Sequence, residues 1–179
     1  MILHRAQSRQ HGFSMIEVLI AVLVFSLGML GIAGLLIFAL QSNHVAYLRT
    51  QATFLAHNMA DRMGANPAGV WGANGASYYN INAIDGPGTP VPSCAAGCGP
   101  QDLAARDIAA WSQQLRTFLP GAAATIDCNA GGIGYTPTAA QVFNRPPYGG
   151  TCNMTITWNE ARAATSVIET NTFAWTFQP

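Results

Sequence analysis

Phe13–Leu40 reads FSMIEVLIAVLVFSLGMLGIAGLLIFAL, and from Val18 to Leu40 it runs 23 residues with no charge and one hydroxyl, Ser26. A helix needs about 20 apolar residues to cross the hydrocarbon core of a bilayer. This stretch is therefore expected to span a membrane. Arg5 and Arg9 lie ahead of it and no acid precedes Glu17, so the positive-inside rule puts the N-terminus on the cytoplasmic side and everything after Leu40 outside the cytoplasm. A cleavable secretory signal would place small residues in an A-x-A-like pattern behind the apolar run. Ala39-Leu40-Gln41 does not provide one. The remaining reading is a short basic leader, Met1 to Gly12, removed ahead of the span.

Gly12-Phe13-Ser14-Met15-Ile16-Glu17 followed by the long apolar run resembles the class III signal of type IV prepilins and type II secretion pseudopilins. The resemblance implies cleavage between Gly12 and Phe13 by a prepilin peptidase and N-methylation of the new Phe13 amino group. The mature chain would then hold 179 − 12 = 167 residues. Glu17 can also be argued physically. A carboxylate inside a spanning helix costs up to about 3 kcal/mol at the bilayer centre and less near the interface, so it is usually paired or functional. Its expected partner is the Phe13 α-ammonium of a neighbouring subunit, a pair that would set axial register when spans bundle. Gly28, Gly31 and Gly34 recur at three-residue spacing; they serve either as a close-packing face or as a place where the helix loosens.

Beyond the span, Gln41 to Pro179 is enough for one domain with a modest core. Charged residues make up 9% of the chain, there is no Lys, and eight Arg balance eight acids. The usual charged fraction is about 25%. Such a surface argues against a nucleic-acid footprint, which needs clustered cations, and suits a subunit packed among others. The four cysteines, Cys94, Cys98, Cys128 and Cys152, all fall in the exported part, where disulfides persist. Three pairings are open. Sequence spacing favours a small Cys94–Cys98 ring and a cross-strand Cys128–Cys152 bridge. A metal site is not expected, because the four His (His4, His11, His44, His57) all lie upstream of these cysteines.

Val45, Leu48, Ala52, Leu55, Met59 and Met63 recur at three- and four-residue steps, the period of a helix burying one face. One helix is thus predicted over residues 13–64, its first half in lipid (13–40) and its second half (41–64) the spine of the soluble domain. Gly64 and Asn66-Pro67 supply the stop. Residues 65–100 read as a connecting loop rich in Gly, Pro, Asn and Ser, either a lateral contact surface or a loop pinned by its aromatics. Residues 101–119 are predicted as a second helix with Leu103, Ile108, Trp111, Leu115 and Phe118 or Leu119 buried. Asp102 sits at its start, and Asp107 is expected in solvent. Over 122–179 the sequence alternates with period two, giving three or four antiparallel strands whose apolar face (Met154, Ile156, Trp158; Phe173, Trp175, Phe177) must be covered by the two helices. The fold class is α+β.

The order of the Asp107-Trp111-Leu115 helix, Leu119-Pro120-Gly121 and the strand Thr155-Ile156-Thr157-Trp158 is similar to minor pilins of the PilV type. The resemblance implies the type IV pilin fold and a minor subunit of a type IV pilus. Its partners would be the prepilin peptidase/N-methyltransferase, other major and minor pilins, the inner-membrane assembly platform, and membrane lipid before assembly. A minor pseudopilin of a type II secretion system is the alternative, and a tip adhesin or DNA-uptake subunit is a second. No Walker loop, G-x-S-x-G or H-E-x-x-H motif is present, so no enzyme and no cofactor is expected.

Overall fold

The computed structural model describes residues 12–71, 77–129, 150–161 and 167–179. The leader arginines Arg5 and Arg9, and nearly all of the expected Asn129–Gly150 loop, lie outside them. The elements run in order α1 (Met15–Ala65), α2 (Pro67–Trp71), α3 (Pro100–Phe118), β1 (Ala123–Asn129), β2 (Thr151–Ala161) and β3 (Ile168–Phe177). The described residues up to Asn43 and those from His44 onward form two compact units. In the first, α1 buries none of its side chains up to Asn43.

The second unit is built around the remainder of α1. Its buried face is Leu48, Ala52, Leu55, Ala56, Met59 and Met63, the stripe that a 3.6-residue period lays along one side. Against it pack Ala104, Ile108, Trp111 and Leu115 of α3 and the inner residues Ala124, Ile126, Cys128, Cys152, Met154, Ile156 and Trp158 of the sheet, all in one cluster. Trp111 is fully buried, and its indole Nε1 donates to the Leu55 carbonyl at 2.9 Å. That bond gives the one polar atom of a large apolar side chain its partner.

The sheet is antiparallel in the order β1-β2-β3. β1 alternates exposed and buried along its whole length. The β2–β3 register runs from Cys152 opposite Phe177 to Ala161 opposite Ile168. This arrangement, a long N-terminal helix with a small three-stranded antiparallel sheet and short helices, is α+β and fits a type IV pilin fold.

The structure differs from the sequence expectations in several places. The 65–100 segment is not simply a loop. Asn66 ends α1 but also starts α2: its Oδ1 accepts from the Gly69 N–H at 3.1 Å and its carbonyl from the Val70 N–H at 3.1 Å. Asn at the cap and Pro67 at the first helical position form a start signal as well as a stop. Further along, Ile81 exchanges two 2.9 Å backbone hydrogen bonds with Ile126 of β1, and Asn80 Oδ1 accepts from Cys128 N–H at 2.7 Å. Asp85 and Thr89 are held to α3 through Ser112 Oγ (3.1 Å), Arg116 Nε (2.8 Å) and Gln113 Nε2 (3.0 Å). Asp107, expected in solvent, is buried. Leu119, just past the end of α3, is buried, whereas on α3 Leu103 is only partly buried and Phe118 is exposed. β3 begins at Ile168 rather than Thr170, while the three strands among the described residues lie within the expected three or four.

Candidate functional site: the N-terminal junction and the exposed apolar helix

Gly12, Phe13 and Ser14 precede α1 in non-helical backbone, and all are exposed. The first turn closes on Ser14, whose carbonyl accepts from the N–H groups of Glu17 (3.0 Å) and Val18 (3.3 Å). Ser14 thus stands at the cap with Glu17 three residues on, the S-x-x-E spacing of a helix start. The sequence reading took Ser14 as part of the junction and not as a cap, although that spacing carried the signal. A side chain built at Gly12 meets nothing within 4 Å. Among the described residues nothing in the packing requires glycine there, which fits a constraint set by something that acts on the chain. The same holds for Gly28, Gly31 and Gly34.

Glu17 lies in the first turn of α1, where the helix dipole favours an anion. Among the described residues the one ion pair is Arg62–Asp107, so no cation reaches Glu17. Around it the surface is apolar. The large apolar side chains from Phe13 to Leu40 are between 52% and 89% exposed, far beyond the patches a soluble monomer tolerates. Among the described residues α1 is the one helix long and apolar enough to cross a membrane.

The second unit offers a different polar cluster. Arg62 Nη1 meets Asp107 Oδ1 at 3.1 Å, and the Tyr79 hydroxyl donates to Asp107 Oδ2 at 2.8 Å. Asn66 Nδ2 donates to the Tyr79 oxygen (3.2 Å) and to the Pro100 carbonyl (2.8 Å). Arg62 Nε also donates to Asn58 Oδ1 at 2.9 Å. Burial pushes the Tyr79 phenol above its usual range and donation to Asp107 adds to that, while the Asn66 bond opposes it. Every polar tip has a partner within the fold, so the cluster ties α1, α2, α3 and the Tyr79 segment together and presents no reactive group. Among the described residues no three His, Cys, Asp or Glu side chains are placed to hold a metal ion.

The structure pairs Cys94 with Cys98 and Cys128 with Cys152 at disulfide distance. The second pair is directly opposite in the β1–β2 register, with Cα atoms 4.0 Å apart, near the narrow pairing of an antiparallel ladder.

A family model described as the prokaryotic N-terminal methylation motif matches residues 7–33. That span includes Gly12, Phe13, Glu17 and 16 of the 23 residues of the apolar run Val18–Leu40. It supports a type IV pilin or pseudopilin that is processed by prepilin peptidase and anchored in a membrane by its apolar helix. The chain matches no curated protein and no solved structure.

Proposed function

We propose that this pilin-class chain is a minor pilin, cut between Gly12 and Phe13, N-methylated on Phe13, held in the inner membrane by residues 13–40, and then drawn into a type IV pilus, where it helps prime assembly or occupies the tip. The observation that carries this reading is the union, on one helix, of an exposed apolar half and a Glu17, directly behind the Gly12-Phe13 junction, that has no cation partner among the described residues.

Lipid tails are as apolar as leucine, so leaving the bilayer for a bundle of like helices is nearly neutral in apolar burial. The selective term is the charge. Inside such a bundle the effective dielectric is low and a carboxylate without a cation is strongly disfavoured. A Phe13 α-ammonium on the neighbouring subunit supplies that cation, and it exists only after the leader has gone. Processing and assembly are thereby coupled.

The exported unit, with its basic leader left on the cytoplasmic side, then forms the outer surface of the filament. A secretion pseudopilin shares the same signal, and location separates the two. Mass spectrometry of sheared surface filaments should find this chain beginning at methylated Phe13. An N-terminus at Met1, or a start beyond Leu40, would overturn the processing step. A correctly processed chain confined to the membrane fraction would overturn the pilus assignment.

A further inference from the structure

The two disulfides sit in opposite environments. Cys128 and Cys152 are 6% and 0% exposed, belong to the central core cluster and join neighbouring strands in register. A nucleophile reaches their sulfurs only if the sheet parts. Cys94 and Cys98 are half-buried, and Ser93, Ala95, Ala96, Gly97 and Gly99 around them are exposed. Their ring is closed by the Gly97 N–H to Cys94 carbonyl bond at 3.0 Å and a weak Ala95 N–H to Ser93 Oγ contact at 3.4 Å. Gly97 takes a left-handed conformation at φ 92°, and a side chain there would meet nothing within 4 Å, so that side of the ring is open.

We propose that Cys94–Cys98 is a thiol-exchange site, opened by small external thiols of the glutathione class, while Cys128–Cys152 is inert in the folded protein. The incoming thiolate bonds to one ring sulfur, the Sγ–Sγ bond breaks, and the other sulfur leaves as a thiolate that takes a proton from solvent. A second thiol attacks the mixed disulfide, releasing the oxidised thiol dimer and a Cys94/Cys98 dithiol. Two electrons pass from the external thiols to the ring. Opening costs the fold little, because anchors on both sides lie outside the ring: Asp85 and Thr89 remain on Ser112, Arg116 and Gln113, and Pro100 remains on Asn66. The result is a covalent handle on the exported surface, at which the chain can carry a thiol adduct or join another thiol-bearing surface, whichever filament it enters.

The test uses the full oxidised chain in detergent, incubated with reduced glutathione at neutral pH, quenched with iodoacetamide and mapped by peptide mass spectrometry. Glutathione or acetamide adducts should appear at Cys94 and Cys98 at least about tenfold faster than at Cys128 and Cys152, as access dictates. Equal rates, faster reaction of the buried pair, or a ring that reacts only after denaturation would overturn the proposal. The Cys94→Ser/Cys98→Ser double variant should keep the near-UV circular dichroism of the parent and lose all native-state adducts. Adducts persisting in that variant would place the reactive pair elsewhere and overturn it equally.

Discussion

Asp107 on α3 takes a guanidinium nitrogen of Arg62 from α1 on one carboxylate oxygen, at 3.1 Å, and the hydroxyl of Tyr79 on the other, at 2.8 Å. Three segments far apart in sequence meet on one side chain. Asp107→Ala should therefore leave a fully buried phenol without its acceptor and a part-buried guanidinium without its counter-ion. A stability loss of about 2–4 kcal/mol is expected, read as a lower denaturant midpoint for the full chain in detergent. A loss under about 0.5 kcal/mol would show the cluster to be ornamental.

Alkaline pH should act on the same place. The Tyr79 phenol is held above its ordinary value of 10.0, first by burial and then by Asp107. A raised folded-state value means that the unfolded chain gives up the proton first. The contribution is fully present below about pH 10 and is lost as pH rises toward the folded value. Stability should thus fall along a limb that begins near pH 10. Tyr79→Phe should flatten that limb while lowering stability at neutral pH by about 1–2 kcal/mol through the lost hydrogen bonds. Parallel pH profiles for parent and variant would assign the limb to another group.

Gly150 packs directly on the buried indole of Trp71. A Cβ built there falls 2.3 Å from Cη2 and 2.7 Å from Cζ3, and a rigid ring has no flexible end to move aside. Gly150→Ala should cost about 1–3 kcal/mol as overpacking, whereas Gly12→Ala, in open space, should leave stability unchanged. Thermal or denaturant unfolding of the two variants side by side makes the comparison.

Glu17→Gln keeps shape and helical propensity but removes the charge. The variant should insert, lose its leader and accumulate in the membrane, yet be depleted at least about tenfold from sheared filaments, since a pair worth about 1.4 kcal/mol already gives that factor. Immunoblots of the sheared and membrane fractions measure it. Parental incorporation would show that register does not depend on the carboxylate.

The helices and strands were legible because their periods are clean. Leu48-Ala52-Leu55-Met59-Met63 repeats at three and four, and Met154-Ile156-Trp158 at two, so burial followed directly from spacing. Asp107 was misread for a reason of distance. Its partners Arg62 and Tyr79 lie 45 and 28 residues away, and no local pattern distinguishes an acid that faces solvent from one that meets a cation across the fold. α2 was missed because Asn66-Pro67 carries two meanings, and only a tertiary reward, here the burial of Val70 and Trp71, makes the second one pay. At the junction, Gly12, Phe13 and Glu17 were read from resemblance and charge. Ser14 was read as part of the junction and not as a helix cap, although its three-residue spacing to Glu17 carried that signal.

The bridge between Cys128 and Cys152 has a further consequence for how such a chain can vary. Residues 129–151 leave and re-enter the sheet at two positions covalently fixed opposite one another, with Cα atoms 4.0 Å apart. Whatever is stitched between those exits, longer or shorter, inherits the same anchorage and cannot pull the strands out of step. A change in the length or composition of that insert should thus leave the pairing of β1 with β2 in place.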